Sequence, residues 1–391
     1  NMRTTCLFFL FTLTLLLAAC GDDSGINGGN NRYTETDWFY KDDVVREIRI
    51  TINTGIFNNV VWPVYEYDTD EKAYGLASSI SIDGEVMTNI GIRTRGNTSD
   101  GNWKRQFKLS FDCTEPYTNA SPDAKLSFPE YDSRRFRGTK KLNLRASQND
   151  PTIIREKIAA YVMKQAGAIV PRVGFAKLYI NNEYWGLYLV VEQIDKTFLD
   201  AHLNEKGGNL YKGEWVKVGG VDYGPIFAAG NEGGFILQTN KELGDKSGLT
   251  AWFNGLAASS TPAQLASWVD VDNVLNYYAG SVLTGHWDSF TCGPNNDHLY
   301  HHSDGKFRII TWDVDNTFGS EWTGSSMLES SIYMMQNTAN YQTLFKKLLD
   351  DPTTRAQYQA KLQSLLGTTF NTAHLFGKIE DFKAIFIAFK T

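Results

Sequence analysis

The sequence predicts an α+β fold in two parts, on three observations. From Arg46 to Asp195 the apolar residues alternate or run in short blocks between Gly, Asn and Asp turns, the pattern of strands. One segment inside that stretch, after Asp150-Pro151, switches to helical spacing, and beyond Leu249 helical spacing dominates. The 391 residues, 42% hydrophobic and 13% aromatic, suffice for one large core or two ordinary ones and carry too many aromatics for a disordered chain. With 38 Lys and Arg against 44 Asp and Glu, and no long basic block, the chain has no electrostatic footprint for nucleic acid, which is not an expected partner.

Residues 1–19 read as a signal peptide: Met2-Arg3 precedes an apolar run from Cys6 to Ala19, shorter than the ~20 residues that span a bilayer. The run ends Leu17-Ala18-Ala19-Cys20, which resembles a bacterial lipobox and makes Cys20 the expected lipidated first residue. A polar, Gly-rich tether follows, so residues 20–45 are expected to hold the protein outside the cytoplasm, periplasmic or on the cell surface, with the membrane reached through lipid. Cys113 and Cys292 remain as a disulfide or two separate thiols; neither has a second Cys or His at zinc spacing.

Strands are expected at Ile48–Ile52, Ser78–Ile82, Val86–Thr94 and Phe107–Phe111, with Asp83-Gly84 as a hairpin turn. Asp150 as cap and Pro151 as first helical residue open a helix carrying Ile154, Ile158, Tyr161 and Val162, closed by Gly167. Strands Ala176–Ile180 and Tyr184–Val191 flank Asn181-Asn182 and complete a β-rich part over 46–195. In 196–391, helices are expected over Leu249–Ala258, Thr261–Leu283 and Thr343–Leu366, with a hairpin of Asp297–Tyr300 and Phe307–Trp312 between. The stop at Thr391, just after another helix-like stretch, is compatible with a truncated C-terminus.

Chemistry concentrates in three places. Asp313 and Asp315 share one side of the chain at the end of an apolar strand, where hard cations find oxygen ligands, and the hairpin brings Asp288 near them. Arg93 and Arg95 lead into the small-residue turn Gly96-Asn97-Thr98-Ser99, whose backbone N–H groups suit phosphate. Alternation across Lys104–Phe111 sends Phe107, Leu109 and Phe111 to the core and leaves Lys104 and Lys108 on the other face.

Taken together, Gly91–Asn97, Lys104–Phe111, Arg155-Glu156-Lys157, Leu178–Asn181 with Tyr184–Tyr188 and Val191–Asp195, Trp287-Asp288-Ser289 with Asn296, and Trp312–Asp315 with Thr317-Phe318-Gly319 resemble the CotH kinase family of atypical protein kinases. The resemblance spans about residues 46–375 and implies a two-lobed kinase-like fold, with ATP between a β-rich lobe and a helical lobe, and Mg²⁺-dependent phosphoryl transfer to a protein hydroxyl. It implies that Lys108, or Lys104 in its place, holds ATP phosphates and that Glu156 orients that lysine. Arg93 and Arg95 would also contact the nucleotide. Val191-Glu192 would lie at the hinge beside adenine, Asp288 would be the catalytic aspartate, and Asn296 and Asp313 would hold Mg²⁺. The sequence departs from ordinary kinases in lacking G-x-G-x-x-G and in a longer spacing between Asp288 and Asn296.

Two other functions use the same residues. A non-catalytic extracytoplasmic binding module would keep the fold without turnover. A glycosidase would use Asp288 and Asp313 as its carboxylate pair and exposed Trp185, Trp215 and Trp322 as sugar platforms, although Lys108 and the arginines favour phosphate over neutral sugar.

Overall fold

The structure, a computed structural model, describes residues 35–63, 74–96, 104–112, 134–218, 220–320, 329–333 and 343–388. Residues 1–19, Cys20, the turn residues Asn97, Thr98 and Ser99, Cys113 and Trp322 lie outside the described residues.

Seven strands close into a barrel: β1 (Val45–Ile52), β2 (Gly75–Ile82), β3 (Glu85–Arg95), β4 (Gln106–Ser110), β5 (Lys141–Arg145), β6 (Val173–Ile180) and β7 (Glu183–Glu192), in the order β1-β2-β3-β4-β5-β7-β6. Asp83-Gly84 and Asn181-Asn182 both take positive φ (49° and 89°, 51° and 66°), the left-handed pair that a two-residue hairpin loop requires. Closure comes from the parallel pairing of β1 with β6, Ile48 opposite Leu178. The inward residues of each strand, among them Ile50, Ile80, Ile92, Leu109, Leu142, Leu144 and Val190, fill the barrel.

The outer face of part of the barrel feeds a second core. Phe175, Leu189 and Val191 pack there with α1 (Arg155–Gln165) and α2 (Lys196–Leu203). After α2 come β8 (Asn209–Gly213), the hairpin β9 (Val216–Val218) and β10 (Val221–Tyr223), and β11 (Phe235–Leu237). Then follow α3 (Ser247–Ala258), α4 (Pro262–Leu265), α5 (Val271–Thr284), β12 (His298–His301), β13 (Phe307–Ile310), α6 (Thr343–Asp350), α7 (Pro352–Thr368) and α8 (Thr372–Ala388). Strands β11-β8-β12-β13 form an antiparallel sheet. Thus α1, which interrupts the β-rich part in sequence, shares its core with the C-terminal helices.

The helix boundaries differ from expectation where capping competes with periodicity. Asp150 does not start α1; its carboxylate accepts from Thr152 N (3.0 Å) and Arg155 N (2.8 Å), so residues 151–154 form a turn, Ile153 takes φ 62°, and the helix begins at Arg155. The expected helix Thr261–Leu283 is two, α4 and α5, because Asp270 caps the second through Asn273 N. Thr343–Leu366 is likewise divided by Asp351-Pro352, a cap followed by proline at the first helical position. No helix among the described residues is long and apolar enough to cross a membrane.

Candidate active site

Period-two alternation makes the basic face. Leu142 and Leu144 of β5 point into the barrel, which turns Lys141, Asn143 and Arg145 outward. Arg93 on β3 sits opposite Lys108 on β4, and Lys108 opposite Asn143 on β5, so the three form a row across the sheet. Lys108 has no hydrogen-bond or ion-pair partner among the described residues. Burial, then the charges of Arg93, Lys141, Arg95 and Lys212, push its pKa well below the usual lysine value. A half-buried ammonium among four cations is stabilised by an anion beside it. Lys212 enters from β8 and is paired with Glu214; its register neighbour on β12 is His298. His298 is 4% exposed, its Nδ1 has no partner, and burial, Lys212 and Lys108 keep it neutral.

Next to this face lies an acidic cluster bound to one guanidinium. Arg145 Nε is 2.9 Å from Glu156 Oε2 on α1, and its Nη2 contacts Asp313 and lies 2.8 Å from Asp315 Oδ2. Burial works to raise the Asp313 carboxyl, but Arg145 and then Arg95 outweigh it and hold the group at about 2. Burial lifts Glu156 to about 7 against the pull of Arg145, and burial with the Asp313 charge raises Asp315 well above the carboxylate range. Asp313 takes φ 60° as the chain leaves β13, and its carboxylate meets Arg145 of β5. The segment after β13 is anchored by Thr311 N donating to Ile169 O (2.8 Å), just past α1.

Asp288 is held by amides. Asn296 Nδ2 donates to Asp288 Oδ2 (2.8 Å) and to Asp288 O (3.1 Å), Asn295 Nδ2 to Oδ1 (3.2 Å), and Asn316 Nδ2 to Oδ2 (3.4 Å). Burial and then the Asp313 charge raise its pKa, opposed by Asn295, His286 and Asn296, so Asp288 and Asp313 act on one another electrostatically. The loop itself is fixed by fully buried Asp297, which accepts from Trp312 N (2.8 Å), Phe290 N (3.1 Å) and the Tyr277 hydroxyl (2.5 Å). One carboxylate thereby ties α5, the Asp288 loop and the end of β13 together. Arg145, Lys141, Lys212, His298, Asn316 and Asp297 were missed by sequence reasoning. Alternation around Leu142 and Leu144 could have found Lys141 and Arg145.

Several expected roles are redirected. Glu156 pairs with Arg145, not with a lysine, because Arg145 is the outward residue at the end of β5 that faces α1. Lys104 turns away from the Lys108 row: it donates to Leu187 O (2.6 Å) and lies 4.6 Å from the ring centre of Tyr188, a barrel-core residue, with burial lowering it to about 8. The Glu192 side chain also leaves this face. Its register partner Leu142 points into the barrel, and the carboxylate takes Arg172 and His202, which overcome burial and hold it at about 2. Arg95 donates to Gln106 Oε1 (2.9 Å) and lies over Trp312, and Arg93 lies over Tyr74. Asn296 spends its amide N–H on Asp288, which leaves its Oδ1 as the acceptor for any metal. Of the expected sugar platforms, Trp185 is locked against Phe57, Trp62 and Phe107, and Trp215 is exposed.

Among the described residues no three His, Cys, Asp or Glu side chains cluster as a ready metal site, and the oxygens nearest to one another are mixed carboxylates and amides. Asp313, Asp315, Asn296 Oδ1 and Asn316 Oδ1 are all oxygens, the ligands a hard cation takes, and buried Asn316 Oδ1 has no partner.

Similarity to known proteins bears on this arrangement. The chain is 26% identical over 262 residues to the inner spore coat protein H of Bacillus subtilis (strain 168), a match covering 64% of this chain and 68% of that protein. It is 24% identical over 251 residues to invasin CotH7 and 23% identical over 256 to invasin CotH3, both of Rhizopus delemar. These matches span 59% and 60% of this chain but only 40% and 42% of the invasins. The family described as CotH kinase protein matches over residues 92–387, a stretch that includes the Lys108 row, the Arg145 cluster and the Asp288 loop. The chain therefore belongs to the CotH kinase protein family.

Proposed function

We propose that this protein transfers the terminal phosphoryl group of ATP, with Mg²⁺, to a Ser or Thr hydroxyl of a protein. One observation carries the reading: half-buried Lys108, without a counter-ion among the described residues and close to Arg93, Arg95, Lys141 and Lys212, lies one strand from the Arg145–Glu156–Asp313 cluster. A polyanion satisfies the first group and a divalent cation the second, and a metal-bound triphosphate is both. In ordinary kinases a strand lysine pairs with a helix glutamate beside the metal-binding aspartate. Here Arg145, at the end of the strand preceding α1, would take the lysine's place opposite Glu156. The barrel core and the helical core would then be the two lobes, with nucleotide between them.

In this mechanism Lys108, Arg93 and Arg95 hold the phosphates, and Arg145 positions them while keeping Asp313 ionised. Asp313 and Asn296 Oδ1, with Asp315 and Asn316 nearby, would hold Mg²⁺, which neutralises developing phosphate charge. Asp288, oriented by its amides, accepts or aligns the proton of the incoming hydroxyl. The test is binding and turnover of labelled ATP with Mg²⁺ by the purified protein. Asp313→Ala is expected to abolish metal-dependent binding, and Asp288→Ala to spare much of the binding and remove turnover. ATP that neither binds nor turns over in the unaltered protein would sink the proposal.

A second reading, a surface binding module without turnover, is favoured by the relatives named invasins and would show as ATP binding without transfer, or neither. Spore coat and invasin relatives also support a surface-associated protein, and attachment through lipid at Cys20 is part of this proposal.

A further inference from the structure

Asn143 is 1% exposed and stands in the outward row of β5 between Lys141 and Arg145, directly opposite Lys108. Its orientation is set by its partners. Nδ2 donates to Val191 O (3.2 Å) and to Gln193 Oε1 (3.2 Å), both acceptors, so Oδ1 must be the atom that faces the other way. That Oδ1 is buried and accepts no hydrogen bond. An acceptor left bare inside a protein costs about as much as a lost hydrogen bond. Here it lies on the strand position opposite Lys108, whose ammonium also has no partner among the described residues.

The two unsatisfied groups belong to register partners on one outward face and do not bond to each other, so a ligand that met both would carry an anionic group for Lys108 and a hydrogen-bond donor for Asn143. Phosphate oxygens alone cannot serve Oδ1, because an amide oxygen facing a phosphate is repulsive. We infer that Asn143 is a specificity-determining residue that accepts a hydrogen bond from the nucleoside part of the bound nucleotide. The inference rests on the nucleotide reading above. The donor is either an exocyclic amine of the base or a ribose hydroxyl, which present the same chemistry to Oδ1.

The test compares the affinities of ATP, inosine triphosphate (a carbonyl in place of the amine), 2′-deoxy- and 3′-deoxy-ATP, and inorganic triphosphate, for the unaltered protein and for Asn143→Ala. The unaltered protein is expected to bind ATP about tenfold or more tighter than the analogue lacking the donor that Oδ1 uses. Asn143→Ala is expected to erase that ratio and leave inorganic triphosphate binding unchanged, which also reports that the variant is folded. Loss against inosine triphosphate assigns the amine, and loss against a deoxynucleotide assigns the sugar. Equal affinity of the unaltered protein for ATP and all three analogues overturns the inference without any variant. A ratio that survives in Asn143→Ala, or in Asn143→Ser should the alanine variant not fold, overturns it too. Failure to bind even inorganic triphosphate would instead overturn the nucleotide reading, and this inference with it.

Discussion

Replacing Arg145 with Met keeps an unbranched apolar stem and removes the cation that three carboxylates share. Arg145 is 4% exposed, as is Glu156, whereas Asp313 and Asp315 keep 24% and 26% of their side chains open. Removing one partner of a buried pair costs ~3–5 kcal/mol, and water at the two aspartates argues for the lower end, about 3 kcal/mol near pH 7. The dependence on pH distinguishes this from lost packing. Glu156 titrates at about 7 even beside Arg145, and without the guanidinium all three carboxyls rise further. The folded variant then retains protons that the unfolded chain gives up, so its stability falls as pH rises, by ~1.4 kcal/mol per unit for each such group. The penalty relative to the unaltered protein therefore grows between about pH 7 and about pH 8.5, measured by urea unfolding. Adding Glu156→Gln is expected to recover ~1–3 kcal/mol of it. A penalty that is the same at both pH values, or below ~1 kcal/mol, would refute the shared-cation argument.

Glu192→Gln is expected to cost about 3 kcal/mol at neutral pH, since His202 and Arg172 overcome burial and hold the carboxyl at about 2 against an ordinary 4.5. Because the folded carboxyl titrates below the unfolded one, this contribution is full above about 4.5 and is lost as pH falls toward 2, so the gap between the two proteins should close in acid unfolding curves. Asp297→Ala strands two buried N–H groups and a tyrosine hydroxyl; a loss of ~3 kcal/mol or more is expected in thermal unfolding, and a neutral result would refute the tie described for the Asp288 loop. Cys20→Ala should abolish incorporation of labelled fatty acid, and unchanged labelling would refute the lipid anchor.

What the sequence determined by itself was local. Alternation placed six of the barrel strands near their observed ranges, because period two depends only on which residues are apolar. The hairpins at Asp83-Gly84 and Asn181-Asn182 were legible because those residues tolerate positive φ. Asp288, Asn296 and Asp313 could be singled out from their places beside a long helix and a short hairpin. The tertiary structure decided the rest. Closure of the barrel needs β1 to meet β6, about 130 residues later, a pairing no local pattern encodes. The partner of Glu156 followed from the same non-local geometry. Lys108 and Lys104 look alike in the sequence, yet one stands among the cations Arg93, Lys141, Arg95 and Lys212 and the other lies over Tyr188 at the barrel. Alternation can place Arg145 on the outward face of its strand but not assign its partners, because it compensates carboxylates about ten and about 170 positions away, and charge compensation depends on distance in space rather than along the chain.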